Sequence, residues 1–310
     1  MEFKSGAMEG MVKMTSKILI VGAGGFVGRN LKEFLGKEKN LYEIYAPASN
    51  EFDISDERAV NEQLKKQYYD VIIHAAVYNP RVGSDKDPSK ELDKNLRMFF
   101  NFERYQSLYD KMLYFGSGAE FDKRGEISMI HEGDAGNGIP NTDYGLYKYI
   151  INKSIQHSNK IYNLRIFGLF GKYENWKKTF ISGACCKALK DLPITIKQNV
   201  FFDYLYIDDF CKIIKWFIDH DAKHKEYNVT SGNKIDLLTL ADIVKKVSGK
   251  ELPVYVCKEG LAKEYTASNQ QLLNEIGEFT FTPIEDAIRD LYIWYYNHEE
   301  DIDMYSLLYQ

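Results

Sequence analysis

Tyr144 and Lys148 lie four positions apart in a stretch with a helical pattern, and such a pair can move a proton. A tyrosine acts as a general acid or base near neutral pH only if its pKa, normally about 10, is lowered. An ammonium group one helical turn away lies on the same helix face and favours the tyrosinate. Ser117 follows a short apolar run, where its hydroxyl can hydrogen-bond the substrate oxygen that gains or loses the proton. In a chain with 23 tyrosines the pair alone indicates only an ordinary exposed contact.

A glycine-rich turn near the start of the chain gives the pair a chemical context. The apolar run 18–21 is typical of a strand buried on both faces, and the spacing Gly22-x-x-Gly25-x-x-Gly28 follows it. Gly22 allows a tight turn, Gly25 lets the backbone approach a pyrophosphate, and Gly28 lets the next helix pack closely on the sheet. The helix N-terminus then presents free N–H groups to phosphate. The pattern predicts a dinucleotide site, which the proton-transfer pair would serve during hydride transfer.

Strand and helix patterns alternate through the first half of the chain. Strands are predicted at 18–21, 42–46, 70–76, 112–115 and 160–167, and helices at about 26–37, 56–67, 88–109 and 144–157. This α/β rhythm predicts a Rossmann-type doubly wound parallel sheet with its ligand at the carboxyl ends of the strands. From about residue 170 the pattern becomes irregular, with helices predicted near 176–190, 207–219, 237–248 and 283–297.

These patterns divide the chain into three parts. We expect a tag or disordered leader at 1–16, where methionines recur without an apolar core. A dinucleotide-binding Rossmann domain is expected at 17–168. A smaller, mixed substrate-binding domain is expected over most of 169–310, with segments around 199–230 returning to the Rossmann sheet.

Composition and charge argue against several classes of protein. The 310 residues are 45% apolar, and a net charge of −5 with interspersed signs argues against nucleic acid as a partner. No stretch approaches the ~18 consecutive apolar residues that a membrane-spanning helix needs. The four cysteines have no metal-ligand spacing, so we expect no metal and a cytoplasmic protein with reduced thiols; they are Cys185, Cys186, Cys211 and Cys257.

Several motifs resemble the extended short-chain dehydrogenase/reductase family, in its nucleotide-sugar epimerase/dehydratase branch. Gly22-x-Gly-Gly25-Phe26-Val27-Gly28 matches the extended-type glycine fingerprint, and 113–117 matches the segment that carries the active-site serine or threonine. Other matches are Asp53-Ile54, which in the family hold the adenine, Ala75-Ala76 at the strand end beside the cofactor, the structural Asn95, and the segments 163–168 and 203–209. The resemblance covers the chain from residue 18 to about 295.

The resemblance implies a hydride passed between a nicotinamide and a sugar carbon, usually C4. Ser117 would orient the carbonyl, Tyr144 would supply the proton, and Lys148 would tune Tyr144 and hold the nicotinamide ribose. The implied cofactor contacts are Gly22, Gly25, Phe26, Val27, Gly28, Arg29, Asp53, Ile54, Ala75, Ala76, Asn95 and Lys148. The implied assembly is a homodimer through the helices near 88–109 and 144–158. Its apolar contact would be Met98, Phe99, Phe102 and Tyr105, unless packing on the chain's own sheet buries these side chains.

Departures from the family pattern narrow the reaction. Dehydratases place an acid pair just after the serine equivalent, whereas Gly118 and Ala119 follow Ser117 here and Glu120 comes one place too late. Reductases that also epimerise carry a Cys at the position of Ala119 and a His beyond the fifth strand, and 169–182 contains no His. The prediction is therefore a 4-keto-sugar reductase. The alternatives are a C4 epimerase that retains NAD and a non-catalytic NAD(P)-sensing protein, which has no need of the Ser-Tyr-Lys set.

The residue before Asp203 bears on the substrate. The family has an arginine there that grips the substrate diphosphate, and this chain has Phe202. Other cations that can serve instead are Lys172, Lys177, Lys178, Lys187 and Lys197. A nucleotide-diphosphate sugar is expected from the resemblance, and another activated or lipid-linked sugar stays open.

The choice between NAD and NADP depends on the segment after the second strand. NAD-specific members place an acidic residue there to bind the ribose 2′-hydroxyl, whereas 45–50 is Tyr-Ala-Pro-Ala-Ser-Asn and Glu51 comes late. Arg29 can face a 2′-phosphate with Ser49 and Asn50 nearby, which favours NADP. The alternative for Arg29 is a solvated helix residue.

Overall fold

The computed structural model describes residues 15–80 and 85–308. The predicted leader at 1–16 lies outside the described residues except for its last two, and Ser16 already begins the first strand. The strands are β1 (Ser16–Val21), β2 (Tyr42–Tyr45), β3 (Tyr69–His74), β4 (Tyr109–Ser117), β5 (Ile127–Ile130), β6 (Ile161–Ile166), β7 (Gly168–Phe170), β8 (Ile194–Asn199), β9 (Phe201–Tyr206), β10 (Glu226–Val229), β11 (Lys234–Asp236), β12 (Val254–Leu261) and β13 (Tyr265–Ala267). The helices are α1 (Phe26–Leu35), α2 (Glu57–Lys66), α3 (Glu91–Glu103), α4 (Asp143–Ile155), α5 (Phe180–Leu189), α6 (Ile207–Asp219), α7 (Leu237–Ser248), α8 (Gln270–Ile276), α9 (Ile284–Tyr296) and α10 (Met304–Leu308).

A six-stranded parallel sheet forms the centre of the fold, in the order β10-β6-β4-β3-β1-β2. Each neighbouring pair in it is parallel. Its central strands are apolar on both faces because helices cover both. Helices α1 and α6 pack on one face through residues such as Leu31 and Phe210. Helices α2, α3 and α4 pack on the other through residues such as Leu64, Phe99 and Ile151. The predicted doubly wound Rossmann-type sheet is confirmed.

A second, smaller group of elements contains a mixed sheet and its own apolar core. Its five strands pair in the order β11-β9-β13-β5, with β7 beside β9, and β8 and β12 form a separate two-stranded sheet. Helices α5, α7 and α9 pack together around residues such as Ala184, Leu240 and Leu291. Strand β5 comes from 127–130, before α4, so the loop after β4 takes part in this sheet. In the described part of the chain, no helix is long and apolar enough to cross a membrane.

The long helix predicted at 88–109 is shorter in the structure. Helix α3 covers only 91–103, with separate 3₁₀ turns at 88–90 and 106–108. Tyr109 already begins β4, three residues before the predicted strand start, because its side chain is buried and its hydroxyl donates to the Phe102 carbonyl at 3.2 Å. Helix α3 therefore ends at Glu103, and the buried Tyr109 ring belongs to the strand that follows.

The apolar residues predicted to join two copies are mostly used inside the chain. Met98, Phe99 and Phe102 are 9%, 0% and 0% exposed and lie in the core between α3 and the six-stranded sheet. Tyr105 is partly exposed, and its hydroxyl donates to Glu57 at 3.0 Å. The alternative stated for these side chains, burial on the chain's own sheet, is therefore right for the first three.

Candidate active site

The carboxyl ends of the parallel strands open into a cleft of about 1510 Å³. It lies where the strand order reverses, between β1 and β3, the usual ligand position in such sheets. The six-stranded sheet contributes the glycine turn, the loop after β2 and the ends of β3 and β4. The other wall comes from the smaller group of elements, including Phe202, Tyr204 and the segment 174–181.

The three predicted catalytic residues line this cleft together with the glycine turn. Ser117 is the last residue of β4, and Tyr144 and Lys148 lie one turn apart in α4. Helix α4 starts sharply because Thr142 caps it, its hydroxyl accepting from the Gly145 N–H at 3.1 Å. The cap fixes the first turn of the helix, and with it the height of Tyr144 above the strand end.

Lys148 is buried, and among the described residues no carboxylate pairs with it. Its ammonium donates to the Phe115 carbonyl at 2.5 Å and lies 4.5 Å from the centroid of the Tyr114 ring. Burial lowers the pKa of Lys148 to about 7, against a weaker opposing effect of the Glu120 charge. The charge is thus poorly compensated by the protein, and Lys148 lines the same cleft as Tyr144.

Glu120 is turned away from the cleft and fully buried. One carboxylate oxygen accepts from the Ser117 backbone N–H at 2.9 Å. The other accepts from Asn163 at 3.0 Å and from the Arg165 Nε at 2.9 Å. Arg165 also pairs with Glu226. With both oxygens engaged, Glu120 shapes the turn after β4 and is not placed to protonate a substrate.

The glycine turn has the open cradle that a dinucleotide needs. Gly22 has φ +86°, and a Cβ there would lie 2.5 Å from the Ala76 nitrogen. At Gly28 a Cβ would lie 2.3 Å from the Gly22 carbonyl oxygen, so this glycine packs the helix onto the turn and does not line the cleft. At Gly25 a Cβ would meet, in the part of the chain that the structure describes, only the Gly22 oxygen, at 3.4 Å. The space above Gly25 is therefore free for a pyrophosphate, as the fit of a dinucleotide requires.

The remaining predicted cofactor residues divide into two groups. Those that line the cleft are Phe26, Val27, Asp53, Ile54, Ala75 and Ala76. Asp53 holds its own loop, with one oxygen accepting from the Ser55 N–H and hydroxyl at 2.9 and 2.7 Å. Asn95 lies outside the cleft: its side chain bonds both backbone groups of Tyr78, at 2.9 and 2.8 Å. Asn95 therefore holds the segment after β3 in place without lining the cleft itself.

Arg29 also lies outside the cleft. Its guanidinium stacks on the Tyr173 ring at 3.6 Å and pairs with Glu33 at 3.6 Å. The cation that does line the adenine end of the cleft is Lys32, beside residues 46–49. Sequence reasoning missed it, although its position one turn beyond Gly28 was a usable signal. Glu51 is engaged elsewhere, its carboxylate accepting from the Ala48 N–H at 2.9 Å.

The substrate end of the cleft is aromatic where the family pattern has an arginine. The Phe202 ring packs against Tyr204 and Tyr265, with centroid distances of 5.6 and 5.9 Å. All five lysines named as substitutes lie in the described part of the chain, and of these only Lys178 lines the cleft. Lys172 pairs with Glu33 at 2.8 Å.

The chain matches known proteins over most of its length. A family model, described as the NAD dependent epimerase/dehydratase family, matches residues 18–230. GDP-L-colitose synthase of Yersinia pseudotuberculosis is 24% identical, covering 92% of this chain and 99% of that protein. UDP-glucose 4-epimerase of Pisum sativum is 21% identical, covering 93% and 98%.

Solved structures share the fold. A GDP-L-fucose synthetase from Naegleria fowleri, bound to NADP, superimposes with a TM-score of 0.80 at 18% identity, covering 92% of this chain and 95% of that one. A GDP-mannoheptose C4 reductase from Campylobacter jejuni, with NADP bound, gives a TM-score of 0.76 at 18% identity, covering 93% and 100%.

Proposed function

The chain belongs to the NAD-dependent epimerase/dehydratase family, and from that membership we propose that it is an NADP-dependent 4-keto reductase of a nucleotide-diphosphate sugar. One observation carries the proposal. Ser117, Tyr144 and Lys148 line the cleft beside an open glycine cradle, while Glu120, the carboxyl group that follows Ser117 in the chain, is buried in an ion pair. The turn after Ser117 therefore offers no carboxyl group for the elimination of water, and we assign the proton transfer to Tyr144.

Each residue of the set has a distinct task in such a reduction. When bound, the nicotinamide supplies the hydride. The Ser117 hydroxyl donates a hydrogen bond to the carbonyl oxygen, and the Tyr144 hydroxyl gives its proton to the same oxygen as negative charge develops there. Lys148 stabilises the tyrosinate that remains and donates to the nicotinamide ribose. Its buried charge acts strongly because the surroundings screen it little.

Other reactions of the family fit the site less well. Dehydration needs an acid and a base beside the serine, and Glu120 is not available. A double epimerisation needs a thiol and an imidazole, whereas Ala119 stands at the first position and 169–182 contains no histidine. A C4 epimerase that retains NAD would use the same Ser-Tyr-Lys set and remains the second candidate, supported by the epimerases among the relatives. A purely sensing role has no use for a complete set in the cleft.

The adenine end of the cleft favours NADP. Lys32 lines it, and the carboxylate of Glu51 is held by the Ala48 N–H. A cation beside carboxylates that already hold their own loop suits a 2′-phosphate, whereas NAD recognition uses an acidic residue for the free hydroxyls. We therefore assign the 2′-phosphate contact to Lys32 in place of Arg29.

The other end of the cleft is assigned to the nucleotide diphosphate. Lys178 supplies the positive charge that the family arginine would supply at position 202. Several relatives carry GDP-, UDP- or ADP-linked sugars in their names, which supports this class of substrate. The product is an activated sugar of the kind that glycosyltransferases consume, so we place the enzyme in cytoplasmic polysaccharide biosynthesis.

A homodimer through α3 and α4 is part of the proposal, with a revised contact. The apolar side chains that remain partly exposed on α3 are Leu92, Leu96 and Phe100, spaced four residues apart, and Leu146 and Ile150 lie on α4. Two such stripes can pack as a four-helix contact. The mass of the purified protein in solution, measured by light scattering, decides between one copy and two.

The direct test is cofactor consumption by the purified protein. Mass spectrometry of the bound nucleotide is followed by titration of NADPH and NADH at 340 nm against GDP- and UDP-linked sugars in 4-keto and 4-hydroxy forms. We expect an empty protein that consumes NADPH with a keto sugar. Stoichiometric bound NAD, with interconversion of 4-hydroxy sugars and no net oxidation, would establish the epimerase instead.

A further inference from the structure

Tyr265 lies in the small mixed sheet, and its hydroxyl approaches the turn after β4. It begins β13, which pairs with β9 through Tyr265 and Phe202 and with β5 through Tyr265 and Ile127. Its ring is held by aromatic neighbours, with centroids 5.2 Å from Phe167 and 5.9 Å from Phe202. The small mixed sheet thus fixes both the backbone and the ring of this tyrosine at the end of β4.

The Tyr265 hydroxyl lies against the turn that carries Ser117. A Cβ at Gly118 would lie 2.4 Å from the Tyr265 oxygen, so the missing side chain at Gly118 makes room for the phenol. The Ser117 hydroxyl, which accepts from the Ala119 N–H, belongs to the same turn. Burial raises the pKa of Tyr265 far above its usual value, so the phenol keeps its proton at any working pH.

The donors and acceptors around Ser117 show what this contact does. A serine hydroxyl has one hydrogen to donate and two lone pairs to accept with. The Ala119 N–H donates to the Ser117 oxygen at 3.2 Å and uses one lone pair. A phenol is a stronger donor than an aliphatic alcohol, so the Tyr265 hydroxyl is suited to donate to the second. Both acceptor positions of Ser117 are then filled, and its single hydrogen is left for another acceptor.

We propose that Tyr265 is a positioning residue for the reduction, because it donates to the Ser117 oxygen and so directs the serine hydrogen at the substrate carbonyl. This inference rests on the proposed function. The hydrogen bond from Tyr265 to Ser117 and the one from Ser117 to the carbonyl then run in the same direction. Both become stronger as negative charge develops on the substrate oxygen. Phe202 gains a role as well: in place of a cation it supports the Tyr265 ring.

A double-mutant cycle tests the proposal, using Tyr265→Phe, Ser117→Ala and the two together. Tyr265→Phe keeps the aromatic packing and removes only the hydroxyl. We expect kcat for NADPH-dependent reduction of a GDP- or UDP-linked 4-keto sugar to fall about tenfold, the effect of one hydrogen bond, with an unchanged Kd for NADPH. Ser117→Ala should lower kcat by ~10²–10³-fold. In the Ser117→Ala background, Tyr265→Phe should lower kcat no further.

Several outcomes would overturn the proposal. A kcat of Tyr265→Phe equal to the wild type, or the same loss with and without Ser117, would show that the phenol does not act through the serine. The matched control is Tyr206→Phe, a tyrosine of β9 outside the cleft, which should leave kcat unchanged. Failure of the proposed function is distinct: the wild-type protein then reduces no keto sugar, and the inference falls with it.

A second measurement does not depend on turnover or on the folding of variants. A crystal structure of the wild-type protein with NADPH gives the separation of the Tyr265 and Ser117 oxygens. We expect a hydrogen-bonding distance of roughly 2.6–3.0 Å between them. A separation beyond hydrogen-bond reach would overturn the proposal whatever the kinetics show.

Discussion

Lys148 places a positive charge where the protein itself compensates it poorly. Within residues 15–80 and 85–308, its ammonium has a carbonyl and an aromatic ring for neighbours and no carboxylate in contact. In the proposed reaction, a bound ligand or the tyrosinate form of Tyr144 would recover the free energy of burying that charge. A site that is strained when empty and satisfied when occupied is the usual arrangement for a group that tunes a catalytic pKa.

Replacing Lys148 by methionine tests this charge through the pH dependence of stability. The folded-state pKa of about 7 lies below the unfolded value of 10.5, so the unfolded state binds more protons between these values. The cost of burying the charge is therefore full below pH 7 and declines as pH rises. Without cofactor, Lys148→Met should stabilise the protein most at pH 6 and least at pH 9.5, in urea unfolding.

Comparison with the wild type isolates this group, because the other titrating residues are common to both proteins. A difference in unfolding free energy that stays constant between pH 6 and pH 9.5 would mean that Lys148 is not buried as a strained cation.

Lys32 is the residue that should decide between the two nicotinamide cofactors. Lys32→Glu replaces the cation at the adenine end by the acidic group that free ribose hydroxyls prefer. Binding of NADPH should weaken by about 10- to 100-fold, or roughly 1.4–2.8 kcal/mol, while binding of NADH stays equal or improves. Fluorescence titration with both cofactors measures this. Arg29→Glu is the matched control. A larger loss of NADPH affinity in Arg29→Glu than in Lys32→Glu would assign the 2′-phosphate contact to Arg29.

The site residues that the sequence predicts are recognised from short segments of the chain, whereas those it does not predict depend on contacts between distant segments. Tyr144 and Lys148 share one helix turn, and Ser117 ends a visible apolar strand, so their patterns are short-range. Tyr265 sits in a three-residue strand far along the chain, and only the pairing of β13 with β9 and β5 brings it to Ser117. No local pattern carries that information.

At the level of elements, the first half of the fold was predictable because its strands are buried on both faces. Runs such as 18–21 and 112–115 are continuously apolar, and the helices between them are amphipathic. The strands of the smaller sheet gave no such signal. Three of them, β7, β11 and β13, are only three residues long, too short for any period to show.

The turn between β1 and α1 offers a prediction with two neighbouring glycines. A Cβ at position 28 would overlap the Gly22 carbonyl, whereas one at position 25 would not. Gly28→Ala should lower the free energy of unfolding by about 2–3 kcal/mol, because the turn must shift. Gly25→Ala should change it by less than ~1 kcal/mol, yet weaken NADPH binding at least about tenfold, since its methyl group enters the pyrophosphate space.

Urea unfolding and cofactor titration of the two variants separate packing from binding. Equal stability loss in both variants, or tight NADPH binding by Gly25→Ala, would mean that the pyrophosphate does not lie over this turn.

At the scale of the whole molecule, the two sheets meet around one cleft and are joined beneath it by buried polar bonds. Asn228 at the edge of the large sheet donates from its side chain to the Ile130 carbonyl of β5 at 3.0 Å. Its backbone N–H donates to Glu132 at 2.7 Å. Glu120 and Arg165 continue the same network toward Ser117. The substrate-side elements are thus tied to the strands that carry the catalytic residues.

In the proposed reaction, each sheet has its own part. The large sheet provides the cofactor cradle and the Ser-Tyr-Lys set, and the smaller elements provide Lys178, Phe202 and Tyr265. The first part could be predicted from sequence because it follows a regular βα rhythm. The second depends on long-range contacts between short elements, so only Phe202 and the group of candidate lysines were identified beforehand.

Transfer of a hydride to the sugar is the central claim, and isotopic labelling tests it most directly. The protein is incubated with a GDP- or UDP-linked 4-keto sugar and NADPH that carries deuterium in both positions at C4 of the nicotinamide, and the product is examined by NMR and mass spectrometry. We predict one deuterium at sugar C4 for each NADPH oxidised, with the rate at least ~10²-fold lower in Tyr144→Phe. An unlabelled, epimerised sugar with NADPH unconsumed would contradict the account.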